Sequence, residues 1–308
     1  MDNSDSNSNA FEKWQALLQK ELKTSDLEAK SKLLANGINY NPYTDPSNTT
    51  VVSTSPASIP SLAIGHRFVE LDEIIVNRYL KLLVQYDLQV FSVQYSRAVD
   101  WNILLDGIYP EMLFMDVIGD EECINSFLAY KSGIENSHLW NSAIPAGNST
   151  SDTIQSLNYT NFGTAEQVTV LRDLKKDLTK IEGGQIKICI QIDAHALNCL
   201  PFINAIHQIM ANTNVDYILE SVMNTATFDS SLESGLIEAG GMAVWASVAK
   251  VGHLYFNPIV SENQMDYARL VLNIQNLIAL ESKMNNEEYA LKGAYAIEQL
   301  TKALLDKA

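Results

Sequence analysis

The chain has 308 residues, a mass of 34.2 kDa and 46% hydrophobic side chains, enough for one large barrel or two modest domains with a buried core. A formal net charge of −16 and a pI near 4.6 argue against nucleic acid or an anionic membrane as partner, since both select basic surface. No apolar run approaches the roughly 20 residues that cross a bilayer, and the N-terminus lacks the basic flank and apolar centre of a secretory signal, so the expectation is a soluble, cytoplasmic protein.

Residues 1–10 are Asp, Asn and Ser almost throughout and read as a disordered tail. Residues 11–22 place Phe11, Trp14, Leu17, Leu18 and Leu22 on one helical face. Ser25 can cap a second helix, with Glu28 at the capping-box position. From 44 to 61 the chain turns to Thr, Ser, Asn and Pro, the composition of an extended linker. The expected organisation is therefore a tail at 1–10, N-terminal helices and an extended arm at 11–61, and a barrel-like domain at 62–308.

Within that domain, strand-like segments at 62–69, 89–94 and 111–117 alternate with helical ones at 71–86, 101–105 and 121–130. Near-continuous apolar strands between helices indicate a parallel sheet covered on both faces. Residues 133–160, rich in Asn, Ser and Thr, read as a long surface loop. A charged helix at 166–181 precedes the clearest later strand, 187–193, and a helix follows at 201–211. Segments 215–223, 235–251, 262–282 and 293–307 all read as helix, leaving few strand candidates after Asp193. The alternation suits an open doubly wound sheet or a (β/α)₈ barrel, and periodicity does not separate the two.

Asp193 and His195 end the best late strand, the position at which barrel enzymes carry acid/base or metal-binding groups. They are the only candidate catalytic pair. His66, His207 and His253 have no partner at i+3 or i+4 and read as structural residues. The pairs Asp72/Glu73, Glu121/Glu122 and Glu287/Glu288 fall at helix starts or turns, where negative charge complements the helix dipole. Cys123, Cys189 and Cys199 are too few and too irregular for a disulfide framework or a zinc site and read as core thiols. Gly183-Gly184 marks a turn before a strand, and Gly240-Gly241 inside a helix suggests close packing. Neither a phosphate loop nor a nucleophile elbow, a zinc-protease motif or a Cys-x-x-Cys pair is present.

Both ends of the chain carry a family signature. Phe11-Glu12-Lys13-Trp14 leads through Asn36-Gly37-Ile38-Asn39-Tyr40-Asn41-Pro42-Tyr43-Thr44, and the C-terminal part holds Arg269, Asn273, Gln275 and Glu281-Ser282, then Gly293-Ala294-Tyr295-Ala296-Ile297-Glu298-Gln299-Leu300-Thr301. This resembles the methylmalonyl-CoA mutase family over residues 11–44 and 267–305. Between them, only the βα rhythm is similar.

The resemblance implies a TIM-type (β/α)₈ barrel, here degenerate or incomplete, preceded by a helical and extended arm. Catalytic chains of that family follow the Pro-x-Tyr-Thr arm with an Arg-Gly-Pro stretch and a Thr-Met-Tyr element that hold the acyl-CoA, whereas residues 45–61 here contain no Arg, Gly or Tyr. The chain is therefore similar to the noncatalytic small subunit of the mutase, with the catalytic large subunit as heterodimer partner. Adenosylcobalamin is expected in that partner and no cofactor in this chain. Asp193-Ala194-His195 also resembles the Asp-x-His-x-x-Gly motif of cobalamin domains, but Asn198 stands where the Gly would be. Trp14, Tyr40, Pro42, Tyr43 and Thr44 are the expected partner contacts. The alternative is an independent barrel enzyme or small-molecule-binding protein with a site around Asp193 and His195.

Overall fold

The computed structural model describes residues 4–23, 26, 31–40, 62–135, 140–145, 154–160, 162, 164–181, 183–192, 195–223, 232–256, 264–282, 284, 291 and 293–308. Helix α1 spans Ser4–Leu22, and two short strands, β1 (Lys32–Leu33) and β2 (Asn39–Tyr40), pair antiparallel. The helix thus begins inside the segment expected to be a disordered tail. Once the amphipathic turns from Phe11 onward are formed, each further residue adds one hydrogen bond without the cost of nucleation.

Eight strands then alternate with helices: β3 (Ala63–Val69), α2 (Glu73–Leu83), β4 (Val90–Tyr95), α3 (Trp101–Leu104), β5 (Phe114–Gly119), α4 (Glu121–Lys131), β6 (Trp140–Pro145), β7 (Ile154–Tyr159), α5 (Gln167–Leu178), β8 (Gln185–Ile192), α6 (Ala196–Ala211), β9 (Asp216–Met223), α7 (Leu232–Val248), β10 (His253–Phe256) and α8 (Gln264–Asn276). All eight strands pair parallel, and β10 pairs with β3 to close the ring. This is the expected TIM-type barrel. The helix layer is uneven, α3 being a single turn.

Two expectations are corrected. Residues 215–223 form strand β9, not a helix. Its outward Leu219 and Met223 and inward Val222 are all buried, so burial on both faces removes the polar alternation that marks a strand, while the inward Glu220 interrupts the apolar run. The segment read as a surface loop, 133–160, contributes β6 and β7, whose Asn- and Ser-rich composition hid them. These two corrections, together with β10, which the sequence reading left unassigned, supply the strands that the sequence appeared to lack after Asp193 and within the loop.

Asp72, Asp100 and Asp120 cap α2, α3 and α4 by accepting hydrogen bonds from first-turn amides, as the acidic pairs suggested for α2 and α4. Glu287 and Glu288 lie outside the described residues. Gly183 and Gly184 adopt φ of 135° and 92°, the left-handed turn expected before β8. A Cβ on Gly240 or Gly241 would meet only side-chain atoms, at 3.8 and 3.9 Å, so the close backbone packing expected there is not found within this chain. The three cysteines are buried and free.

The terminal signatures seal the barrel. On α8, Gln275 accepts from the Gly65 amide and donates to the Gly65 carbonyl, both at 3.3 Å, fastening the helix to the first barrel strand. The last helix, α9 (Tyr295–Lys307), docks on α6 through Thr301, whose hydroxyl accepts from Asn204 at 3.1 Å, and Glu298 accepts from the Gly293 amide that opens the helix. The β1–β2 hairpin also packs on its own barrel. Ile38 is buried in the core, Asn36 donates to Gln167 of α5 at 3.0 Å, and Lys307 donates to the Gly37 carbonyl at 2.8 Å. No described helix is long and apolar enough to cross a membrane.

Candidate functional site

Alternate residues of each barrel strand point inward. On β10, β4, β8 and β9 the inward Tyr255, Val90, Cys189 and Val222 make a small apolar core inside the ring, and Gly65 opposite Tyr255 leaves room for its ring, since a Cβ there would lie 3.0 Å from the Tyr255 Cδ1. Across the same interior runs a buried polar cluster. Lys187 on β8 bonds Asp116 on β5 and lies 3.1 Å from Glu220 on β9. His253 on β10 sits 3.1 Å from Glu220 and 3.7 Å from Asp116 through Nδ1, and the Tyr255 hydroxyl donates to Asp116. Lys187 is 1% exposed.

Two carboxylates thus face two basic groups with almost no water. Burial raises the Asp116 pKa, but the Lys187 charge and then the His253 hydrogen bond outweigh it and hold the carboxyl well below its usual range. For Lys187, burial works against the ammonium, yet Asp116 and Glu220 keep its pKa above the ordinary value. Burial likewise opposes the His253 imidazolium, and the bonds to Asp116 and Glu220 prevail, so its pKa rises. Tyr255 is pushed well above its ordinary range, first by burial and then by the two carboxylates, and stays a neutral donor. With His253 protonated, the four charges cancel.

Asp116, Glu220 and His253 place ligand atoms within 4.8 Å of one another, a spacing compatible with a divalent ion. The Lys187 ammonium, however, already engages both carboxylates, and His253 Nδ1 is turned to those same two groups. The donor set fits an internal ion network rather than a metal centre.

Asp193 lies outside the described residues, and His195 is an exposed N-cap of α6 whose carbonyl accepts from the Asn198 and Cys199 amides. Asn198 is buried in the first turn, its carbonyl accepting from Gln167 at 3.1 Å, so the Gly position of the cobalamin motif is occupied by a packed side chain and these residues do not fit that cofactor. Of the expected partner contacts, Trp14 stays 42% exposed on α1, beside exposed Leu17 and Leu22. Tyr40 packs half-buried against the chain's own core. Pro42, Tyr43 and Thr44 lie outside the described residues.

His66 faces outward, its ring stacked 6.5 Å from Tyr79 of α2, and burial lowers its pKa to about 4. His207 on α6, between the Tyr217 hydroxyl at 2.5 Å and the Ala249 carbonyl at 2.8 Å, is lowered to about 4 by burial. His66 Nε2 is buried without a hydrogen-bond partner, whereas both His207 nitrogens are engaged. His253 is not beside a helix as the sequence suggested. It lies on a strand and belongs to the ion network. The cluster as a whole escaped sequence reasoning, although Asp116 and Lys187 each interrupt a strand that is otherwise apolar, which was the available signal.

No protein-family model matches the chain, and no curated protein sequence matches it. Among solved structures it is similar to a broad-specificity endoglucanase from Clostridium cellulovorans (8% identity, 71% of this chain and 98% of that one, TM-score 0.37). It is also similar to an endo-1,4-β-mannanase from Rhizomucor miehei (10%, 74% and 99%, 0.39) and an endoxylanase from Clostridium papyrosolvens (7%, 75% and 74%, 0.40). Overlaps this loose carry nothing about chemistry.

Lys187→Met should cost about 3–5 kcal/mol in urea unfolding, because it strands two buried carboxylates, whereas the triple change D116N/K187M/E220Q should recover part of that loss. Stability should also fall on both sides of the histidine range. The raised His253 pKa contributes fully below 6.5 and its contribution is lost as pH rises through the folded-state value. His66 and His207, held near 4, are neutral when folded and take up protons on unfolding between about 4 and 6.5, so stability drops as pH falls through that window. Urea midpoints of the wild type and of His253→Gln across pH 4–9 test this, with the alkaline decline expected to flatten in the variant.

Proposed function

We propose that the chain is the noncatalytic small subunit of an adenosylcobalamin-dependent methylmalonyl-CoA mutase, which completes and stabilises a heterodimer whose large subunit interconverts succinyl-CoA and methylmalonyl-CoA. The observation that carries this reading is the filled barrel axis. Catalytic chains of the family admit the CoA chain along that axis, and here Asp116, Lys187, Glu220, His253 and Tyr255 join side chains across it.

Two further features support it. Residues 45–61 lack the Arg, Gly and Tyr of the family's substrate-binding stretch. The residues that do carry the resemblance, Gln275, Glu298 and Thr301, are structural, fastening helices to the ring rather than lining a site. In this reading the cobalamin and all reacting groups belong to the large subunit. This chain contributes surface, with the apolar face of α1 around Trp14 and Leu17 as the first partner contact. A cytoplasmic location, where the acyl-CoA pool is found, goes with that role.

Coexpression with the large mutase subunit of the same organism tests it. Size-exclusion chromatography with mass detection should give a one-to-one complex that turns over, with this chain inert alone. Two separate peaks with a fully active large subunit would overturn the proposal.

A further inference from the structure

One inward-facing charge stands apart from the ion network. Arg67, on β3, is 4% exposed and donates from Nη2 to Gln94 Oε1 at 2.5 Å. Its Nε is closed off from solvent without a hydrogen-bond partner, and among the described residues no carboxylate forms an ion pair with it. The contacts of Asp116 and Glu220 are with Lys187, His253 and Tyr255, so the guanidinium stands outside that network. An isolated buried charge is among the most costly features a fold can hold, and a guanidinium cannot escape that cost by losing its proton.

The second observation lies directly opposite on the neighbouring strand. Ser92 of β4 is the ladder partner of Arg67, so both side chains leave the same face of adjacent strands about 4.8 Å apart. Ser92 is 1% exposed, and its hydroxyl too is buried without a partner. Two orphaned polar groups side by side, one a full positive charge and the other a rotatable donor, form half of a coordination shell whose missing member is negative. Gln94 holds the adjacent Nη2 and so limits how the guanidinium can turn.

We propose that the barrel interior binds one compact monovalent anion of the chloride class between Arg67 and Ser92. The anion accepts from Arg67 Nε and from the Ser92 hydroxyl and faces the guanidinium charge. The closed surroundings of both donors favour a monatomic ion over a planar organic one. The chain's net charge of −16 opposes anion approach at long range, so recognition rests on these local donors. This inference does not depend on the subunit reading.

Thermal unfolding in chloride-free gluconate buffer, titrated with sodium chloride or bromide at constant ionic strength, tests it. The folded-to-unfolded ratio should rise about tenfold for each tenfold increase in halide above the dissociation constant, and a bromide-soaked crystal should show anomalous density against Arg67 Nε. Arg67→Met, which removes the charge to be neutralised, should fold without halide and lose the response, and Ser92→Ala should weaken it while leaving the fold intact. Equal stability in halide and gluconate with no anomalous peak at Arg67 would overturn the proposal. So would stabilisation by formate or acetate with none by halide, which would assign the site to carboxylates.

Discussion

The ammonium of Lys187, held between two carboxylates in the middle of a barrel, is the interaction on which the rest of this structure depends. Removing each of these ions from water is expensive, and their mutual attraction offsets the expense only if every partner is in place. Those partners come from β5, β8, β9 and β10, and Asp116 meets Lys187 across the ring rather than along a ladder. A slip of one residue in any of these strands would turn its charge outward and leave the others unpaired. The network is therefore a register device as much as a source of stability, and it is positioned where the pairings of β6 and β7 are short.

The same network determines what the interior can be used for. A barrel that holds a ligand along its axis keeps small or mobile side chains there. Here, the Lys187 layer is tied together and the apolar group around Tyr255 and Val222 lies against it. Outside the ring, Gln275 grips the backbone of Gly65 and Thr301 bonds the α6 side chain of Asn204.

Much of the architecture was legible in the sequence. The capped helices α2 and α4, the strands β3, β4 and β8, and the terminal helix α9 follow from spacing and end signals that are local. What was not legible is instructive. Strand β9 is buried on both faces and so lost its alternation, and β6, inside an Asn- and Ser-rich segment, is held on both edges by β5 and β7. The ion network could not be read because its members are far apart in sequence and each looks unremarkable alone. Only the misplaced charge of Asp116 and Lys187 inside apolar runs hinted at it, and Glu220 was hidden by a helical reading of its segment.

The claim at the centre of this account is that the barrel axis is closed to acyl-CoA. Isothermal titration of the isolated chain with succinyl-CoA tests it most directly. The account predicts no saturable heat at concentrations at which a catalytic mutase chain is saturated. A one-to-one isotherm in the micromolar range, abolished by competition with free CoA, would contradict it and reopen the interior as a ligand site.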